Sequence, residues 1–224
     1  MKTLVILTAV SIILALGGPL QAVVIIDDFE VGSIDIRDTD TAVNVRATRN
    51  ELGLDTSHVV GGRRFTQANL RGGAGGSYAD ADLVTDGLPG VSDDGIQYAL
   101  DGSSAIFDTE YFPSSLDLSA ESQFLVSLST VDAQMDLWCN IVTNSGEPSE
   151  VEDFVTKTVS AAGTVPFLIT EFSGLDFEDV DFIQVRVTAN TSGLWVIDDI
   201  RAVPEPATLS LLTLGGLALL RRRG

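Results

Sequence analysis

One predicted strand carries side chains of the kind that hold a sugar. In the segment from 135 to 141, Trp138 alternates with Asp136 and Asn140, and the intervening positions are apolar. Because side chains alternate between the two faces of a strand, this spacing places an aromatic ring between a carboxylate and an amide. Sugar rings stack on exposed aromatic rings, and polar groups nearby bond to their hydroxyls. The segment is a candidate carbohydrate-binding surface, with a core position for Trp138 as the open alternative.

Two other aromatic residues lie in further alternating segments. Tyr98 is a second candidate for ligand binding, in the segment Ile96-Gln97-Tyr98-Ala99-Leu100. Trp195 lies in the segment from 194 to 200, and a place in the core or at its edge is favoured for it.

Signatures of catalysis are scarce. His58 is the single histidine, which excludes multi-histidine metal centres, and no Gly-x-Ser-x-Gly elbow accompanies it. The glycine-rich segment 71–77 lacks the Gly-Lys-Ser/Thr ending of a phosphate-binding loop. The single cysteine, Cys139, follows the apolar alternation and is expected to be buried. We expect a non-enzymatic protein, with a pair of glycosidase carboxylates among the 32 acidic residues as the alternative.

The N-terminus predicts export. Lys2 precedes an apolar run from 4 to 16, a Gly-Gly-Pro breaker and a small residue, Ala22. This order is the layout of a secretory signal peptide, so residues 1–22 are predicted to be removed by signal peptidase after passage through the secretion machinery.

The C-terminus predicts a membrane anchor. Residues 207–220 are uncharged and largely apolar, and they end at three consecutive arginines, Arg221, Arg222 and Arg223. A helix of fourteen residues covers only about 21 Å of a hydrocarbon core near 30 Å, so its length alone is ambiguous. The arginines favour a membrane-stop segment with its basic end on the cytoplasmic side.

The tail resembles a known sorting signal. Val203, Pro204, Glu205 and Pro206 precede the apolar segment and the basic end. In order and position these three parts resemble the PEP-CTERM sorting signal of bacterial exported proteins. The resemblance implies recognition by an exosortase-type membrane protease and transit through the inner membrane, followed by delivery to the cell envelope, cell surface or extracellular matrix. It assigns residues 203–224 to sorting and leaves 23–202 as the body.

The body is strongly acidic. Setting aside Lys2, Glu205 and the three terminal arginines leaves 31 acidic and 9 basic residues, a net charge of −22. Such a surface repels the phosphates of nucleic acid and anionic lipid, so neither is an expected partner of the mature domain. With one cysteine no intrachain disulfide forms, and a packed core must supply the stability.

Strand periodicity predicts the fold. Alternation is clear in 96–100, 124–128, 135–141, 183–187 and 194–200, and clusters of Gly, Asp, Ser and Pro separate these runs. No segment of the body shows a convincing helical period. The pattern predicts an all-β protein with a single antiparallel β-sandwich.

The two ends of the body resemble galactose-binding-like jelly rolls, which include many carbohydrate-binding modules. The resemblance rests on Ile25-Ile26-Asp27-Asp28-Phe29-Glu30, on the segment 177–185 and on Leu194-Trp195-Val196-Ile197-Asp198-Asp199-Ile200. It implies that the first and last strands lie together and hold a structural calcium. The residues it nominates for the metal are Asp28, Glu30, Asp198 and Asp199, and the alternative is that these carboxylates face solvent.

These observations predict an exported surface or matrix protein that binds extracellular polysaccharide. Two alternatives remain open: a purely structural surface component and a secreted carbohydrate-active enzyme.

Overall fold

The alternation of apolar and polar residues builds nearly all of the body as β-structure. The computed structural model describes residues 23–42, 45–84 and 94–204. The predicted signal peptide and the sorting residues from Glu205 onward, including Pro206 and the arginines at 221–223, lie outside these ranges. Within them, no helix is long and apolar enough to cross a membrane.

Thirteen strands and two short 3-10 turns are formed by the described residues. The strands are β1 Val24–Asp27, β2 Asp35–Asp38, β3 Ala47–Leu52, β4 Arg63–Gly72, β5 Tyr78–Val84, β6 Gly95–Asp101, β7 Ser104–Tyr111, β8 Gln123–Val131, β9 Met135–Thr143, β10 Val151–Val159, β11 Gly163–Leu168, β12 Val180–Ala189 and β13 Gly193–Val203. The 3-10 turns are Val60–Gly62 and Ile169–Glu171.

Two antiparallel sheets make the sandwich. One has the order β11-β8-β13-β6-β5-β2, with β1 paired to the end of β13, and the other has the order β10-β9-β12-β7-β4-β3. The predicted antiparallel β-sandwich of jelly-roll type is confirmed. The five alternating segments found in the sequence lie in β6, β8, β9, β12 and β13. The first and last strands do pair, with Val24 opposite Ala202 and Ile25 opposite Arg201.

The core lies between the sheets and takes every second residue of the central strands. In β12, Ile183, Val185 and Val187 are at most 1% exposed, whereas the residues between them face outward. Trp195 is fully buried, and its indole Nε1 donates to the carbonyl of Ala133 at 2.7 Å. The expected core position of Trp195 and the expected burial of Cys139 are confirmed.

A charged cluster is also buried in the described body. The Arg64 side chain is 0% exposed and donates to both carboxylate oxygens of Asp27 at 2.9 and 3.0 Å. Its Nε donates to Glu51 at 3.0 Å, and its Nη2 donates to the Val31 carbonyl. Burial raises the pKa of Asp27 to about 6, against the opposing charge of Arg64. The cluster ties β1, β3 and β4 together, and its charges depend on one another because removing one leaves the others uncompensated.

Candidate functional site

The outer surface of the six-stranded sheet is lined with polar side chains at positions where strand alternation turns them away from the core. In β9 and β12, Leu137 and Val187 point inward while Trp138 and Arg186 point outward. Register then aligns the outward residues of neighbouring strands. One cross-strand row contains Trp138, Arg186, Asp108 and Gln67, and the next contains Phe154, Asn140, Gln184 and Glu110. We call these eight residues the polar sheet face.

Hydrogen bonds cross the polar sheet face from strand to strand. Asp108 accepts from Arg186 Nε at 2.5 Å, from Gln67 Nε2 at 2.7 Å and from Gln184 Nε2 at 3.1 Å. The same two amide groups also donate to Glu110 Oε1, at 3.2 and 3.1 Å. Since β4, β7 and β12 each contribute at least one partner, the network fixes the positions of its polar atoms before any ligand arrives.

Burial shapes the charges of this network. Asp108 is 3% exposed although it points away from the core, and burial raises the pKa of its carboxyl while Arg186 opposes the shift by hydrogen bond and charge. Burial also raises the pKa of Glu110, and the charge of Asp108 adds to that shift. The two carboxyls therefore share donors and hold their negative charge less readily than exposed carboxyls do.

An aromatic pair stands beside the network. The rings of Trp138 and Phe154 stack with centroids 4.9 Å apart and planes at 14°, and the guanidinium of Arg186 lies 5.7 Å from the Trp138 ring centre. Trp138 is half-buried between these neighbours, whereas Phe154 is 52% exposed. Phe154 therefore presents the more open ring, and Trp138 packs against one face of it.

Three of the four residues predicted to bind ligand lie together on this surface. Asp136 and Asn140 flank Trp138 on the outer side of β9. Asp136 accepts a hydrogen bond from Thr158 Oγ1 at 2.8 Å, and Asn140 Nδ2 donates to Glu152 at 2.7 Å. Their roles in binding stay predictions, but their placement matches the alternation from which they were chosen.

Tyr98 needs a correction. It is 1% exposed, stacks on Phe107 at 4.9 Å in the core, and shares a hydrogen bond between its hydroxyl and Thr109 of the opposite sheet. Its strand, β6, belongs to the seven-stranded sheet. Strand alternation places Gln97 and Ala99 on the outer side of β6 and Tyr98 on the inner side, so the Tyr98 ring is not accessible to a ligand.

Most of the polar sheet face was not recognised in the sequence. The residues missed are Gln67, Asp108, Glu110, Phe154, Gln184 and Arg186. The alternation of Gln184 and Arg186 with valines was visible, but it indicated only a half-buried strand. Nothing local says that Arg186 faces Asp108, which lies 78 positions earlier in the chain.

Two of the residues predicted to hold calcium lie beside a histidine. In the described part of the chain, Asp28 and Glu30 join His58, and their ligand atoms all lie within 4.8 Å of one another. His58 Nδ1 lies 2.8 Å from Asp28 Oδ2 and 3.5 Å from Glu30 Oε2, and the hydrogen bond to Asp28 raises the pKa of His58. This set does not fit calcium, which prefers six to eight oxygen ligands, because an imidazole occupies its centre.

The other two nominated carboxylates have their own partners. Asp198 accepts from Ser129 Oγ at 2.6 Å, and Asp199 lies 3.2 Å from Arg201 Nε. The calcium site therefore stays a prediction from the sequence, and the cluster that the fold assembles is a different one.

The sorting residues begin inside the last strand. Val203 ends β13, and its carbonyl accepts hydrogen bonds from the backbone nitrogen of Ser122 at 2.9 Å and from the Ser122 hydroxyl at 3.3 Å. Pro204 follows as the last described residue. The folded body thus reaches directly to the Pro-Glu-Pro sequence with no linker between them.

Comparison with known proteins identifies this terminal segment. Residues 202–223 match the PEP-CTERM protein-sorting motif, which confirms the predicted sorting signal and implies export to the cell envelope or surface. No curated protein sequence matches the chain.

The body is similar to solved β-structures. A family 11 carbohydrate-binding module from Clostridium thermocellum, in complex with a β-1,3-1,4-mixed-linked tetrasaccharide, is 15% identical with a TM-score of 0.42, over 78% of this chain and 98% of that one. The carbohydrate-binding module CBM28, specific for non-crystalline cellulose, is 10% identical with a TM-score of 0.36, over 55% and 79%. An exo-β-agarase is 15% identical with a TM-score of 0.40, over 57% and 22%.

Proposed function

We propose that this chain is an exported, non-enzymatic protein of the cell surface or extracellular matrix that binds polysaccharide through the polar sheet face. The observation that carries the proposal is the open ring of Phe154, 52% exposed, stacked on Trp138 beside a network of ordered amides and carboxyls. A sugar needs both an apolar surface for its ring and fixed polar partners for its hydroxyls.

The network favours a neutral sugar. Asp108 and Glu110 lie on the floor of the surface, and the body carries a net charge of −22 between Val23 and Pro204. An acidic polysaccharide would meet repulsion from both. Neutral hydroxyls, in contrast, can donate to the half-buried Glu110 and accept from the guanidinium of Arg186, while the two glutamine amides spend both of their N–H groups on the carboxyls and hold these in place. Since cross-strand bonds already order these groups, binding loses little side-chain entropy.

Sorting follows from the terminal motif. An exosortase-type protease cleaves near Pro204, Glu205 and Pro206 after the secretion machinery and signal peptidase have acted at the other end. The apolar segment holds the chain in the inner membrane until that cut, and the product is delivered to the envelope, surface or matrix.

One observation favours hydrolysis as a second candidate. Asp108 and Glu110 lie on the same side of β7, and both have raised pKa values, a feature of general acids in glycosidases. Against this, Asp108 already accepts three hydrogen bonds that hold it in place. Release of reducing sugar by the wild type that disappears in both Asp108→Asn and Glu110→Gln would establish the hydrolase instead of the binding protein.

Affinity electrophoresis tests the binding proposal. The chain is run through gels that contain mixed-linkage β-glucan, galactan or polysaccharide from the producing cell, and retardation is compared between wild type and Phe154→Ala. Retardation by a polysaccharide that Phe154→Ala abolishes supports the proposal. Equal migration in every gel, with and without polysaccharide, would favour a purely structural surface protein.

A further inference from the structure

A second exposed surface lies on the outer side of the seven-stranded sheet, where the chain enters and leaves the body. Leu168, Gln123 and Val203 are cross-strand neighbours in one row, and Val23 precedes Val24, which pairs with Ala202. The next outward row holds Pro166, Leu125, Arg201 and Ile25. We call Val23, Ile25, Leu125, Leu168 and Val203 the terminal patch.

The terminal patch is unusually exposed and uncharged for this protein. Among the described residues, six large hydrophobic side chains are exposed, and three of them are Val23 at 49%, Ile25 at 41% and Leu168 at 43%. Acidic residues outnumber basic ones 32 to 13 in the chain, yet the two rows contain no acid and a single Arg, Arg201. The two acids that contact the rows are themselves paired, Asp199 with Arg201 at 3.2 Å and Glu171 with Lys157 at 2.9 Å. Clustered exposed apolar side chains in so acidic a protein indicate a contact surface.

The segments that flank the terminal patch in the sequence indicate its binding partner. Both apolar segments outside the described residues leave from the patch, because Val23 follows residues 1–22 and Val203 precedes the tail. Only Pro204, Glu205 and Pro206 separate β13 from the apolar residues 207–220. Three residues can reach at most about 10 Å in any conformation, so a tail inserted in a bilayer holds this end of the sandwich near the lipid headgroups.

We infer that the terminal patch is a lipid-contact surface that seats the body on the membrane while the sorting tail is in place. Apolar side chains enter the interface, and the charge of Arg201 among them is balanced by Asp199. A second copy of the chain is a weaker occupant, because two bodies of −22 net charge repel each other. The tail, in contrast, keeps the bilayer at a high effective concentration, which offsets the repulsion between so acidic a body and anionic lipid.

This seating orients the candidate sugar-binding surface. The polar sheet face belongs to the other sheet and points away from the terminal patch. At the far end of the sandwich, Gly193 begins the eleven-residue β13, about 33 Å from Val203 at about 3.3 Å per residue. The body would therefore keep its polysaccharide-binding side free during sorting.

Site-specific labelling tests the inference in the full chain. Cys139 is 1% exposed and burial raises its pKa to about 12, so it resists thiol reagents and can be retained. Single variants Ile25→Cys and Leu168→Cys carry a bimane label in the patch. Phe154→Cys on the polar sheet face and Thr191→Cys at the far end are the controls, since both positions are exposed. Each chain is reconstituted through its tail into phosphatidylcholine vesicles with and without doxyl-labelled lipid.

The expected result is several-fold stronger doxyl quenching at positions 25 and 168 than at 154 and 191, with blue-shifted emission only at the two patch positions. Equal quenching at all four positions in chains that float with the vesicles would overturn the inference. Quenching between singly labelled chains that disappears on dilution with unlabelled chain, without doxyl quenching, would assign the patch to a second copy. A chain that fails to float refutes the membrane tether and the patch together. None of these outcomes depends on polysaccharide binding, which is measured separately.

Discussion

Replacing Phe154 with alanine gives the sharpest test of the polar sheet face. A phenylalanine ring offers roughly 150–250 Å² of surface, and with 52% of this residue exposed, about 100 Å² remains open to a ligand. A sugar that covers half to two-thirds of that area gains about 1.5 kcal/mol at roughly 25 cal/mol per Å². The substitution is therefore expected to weaken polysaccharide binding about tenfold.

The assay is isothermal titration with a polysaccharide that retards the wild type. Leu168→Ala is the matched control, because Leu168 is 43% exposed but lies on the opposite sheet. Thermal unfolding should show that both variants remain folded, since each substitution removes mainly exposed surface. A dissociation constant that changes less than twofold in Phe154→Ala, or equally in Leu168→Ala, would refute the assignment of this ring to sugar stacking.

Trp138→Ala extends the same test. Trp138 holds the Phe154 ring at 4.9 Å and 14°, so its loss should weaken binding even if the sugar never touches the indole. Because the two rings act as a unit, the double variant should lose less affinity than the sum of the single losses. Strict additivity would show that the rings contribute separately.

Three further predictions concern the rest of the molecule. Arg64→Met should destabilise the body by about 3–5 kcal/mol in urea unfolding, because it leaves buried Asp27 and Glu51 uncompensated. Arg64 opposes the effect of burial on Asp27, so its loss raises the pKa of Asp27 above the wild-type value of about 6. The destabilisation should therefore shrink as pH falls toward 6 and stay constant below it, and a pH-independent loss would contradict this reasoning. Pairing with Asp28 raises the pKa of His58, so the pair stabilises the fold fully below the ordinary histidine pKa of 6.5 and loses this contribution as pH rises through the raised pKa. His58→Gln should therefore flatten this part of a plot of urea midpoint against pH. An unchanged plot would show that another group titrates there. Intact mass of the protein from its native cell should begin at Val23 and lack the apolar tail, and a strain without the sorting protease should retain the tail; identical masses from both strains would contradict processing at the motif.

The sequence determined those features that depend on neighbouring residues. Alternation in 183–187 and 194–200 requires a half-buried strand whichever strand lies beside it, and turn residues between such runs favour antiparallel hairpins. The sorting signal is likewise a linear arrangement, which a receptor reads in order along the chain. Trp138, Asp136 and Asn140 were also found this way, because one strand suffices to place them on one side.

Only the tertiary structure decided which residues the two faces of each strand contact. Phe154 stacks on Trp138 because β10 pairs with β9, and Asp108 meets Arg186 because β7 pairs with β12. The same limit explains the failure with Tyr98, whose strand period was correct but whose inward side could not be distinguished from its outward side. His58 joined Asp28 and Glu30, and Arg64 joined Asp27, through contacts that span 28 to 37 positions of the chain. Periodicity fixes two sides for each strand, but the register and order of its partners choose which side is buried and which groups face one another.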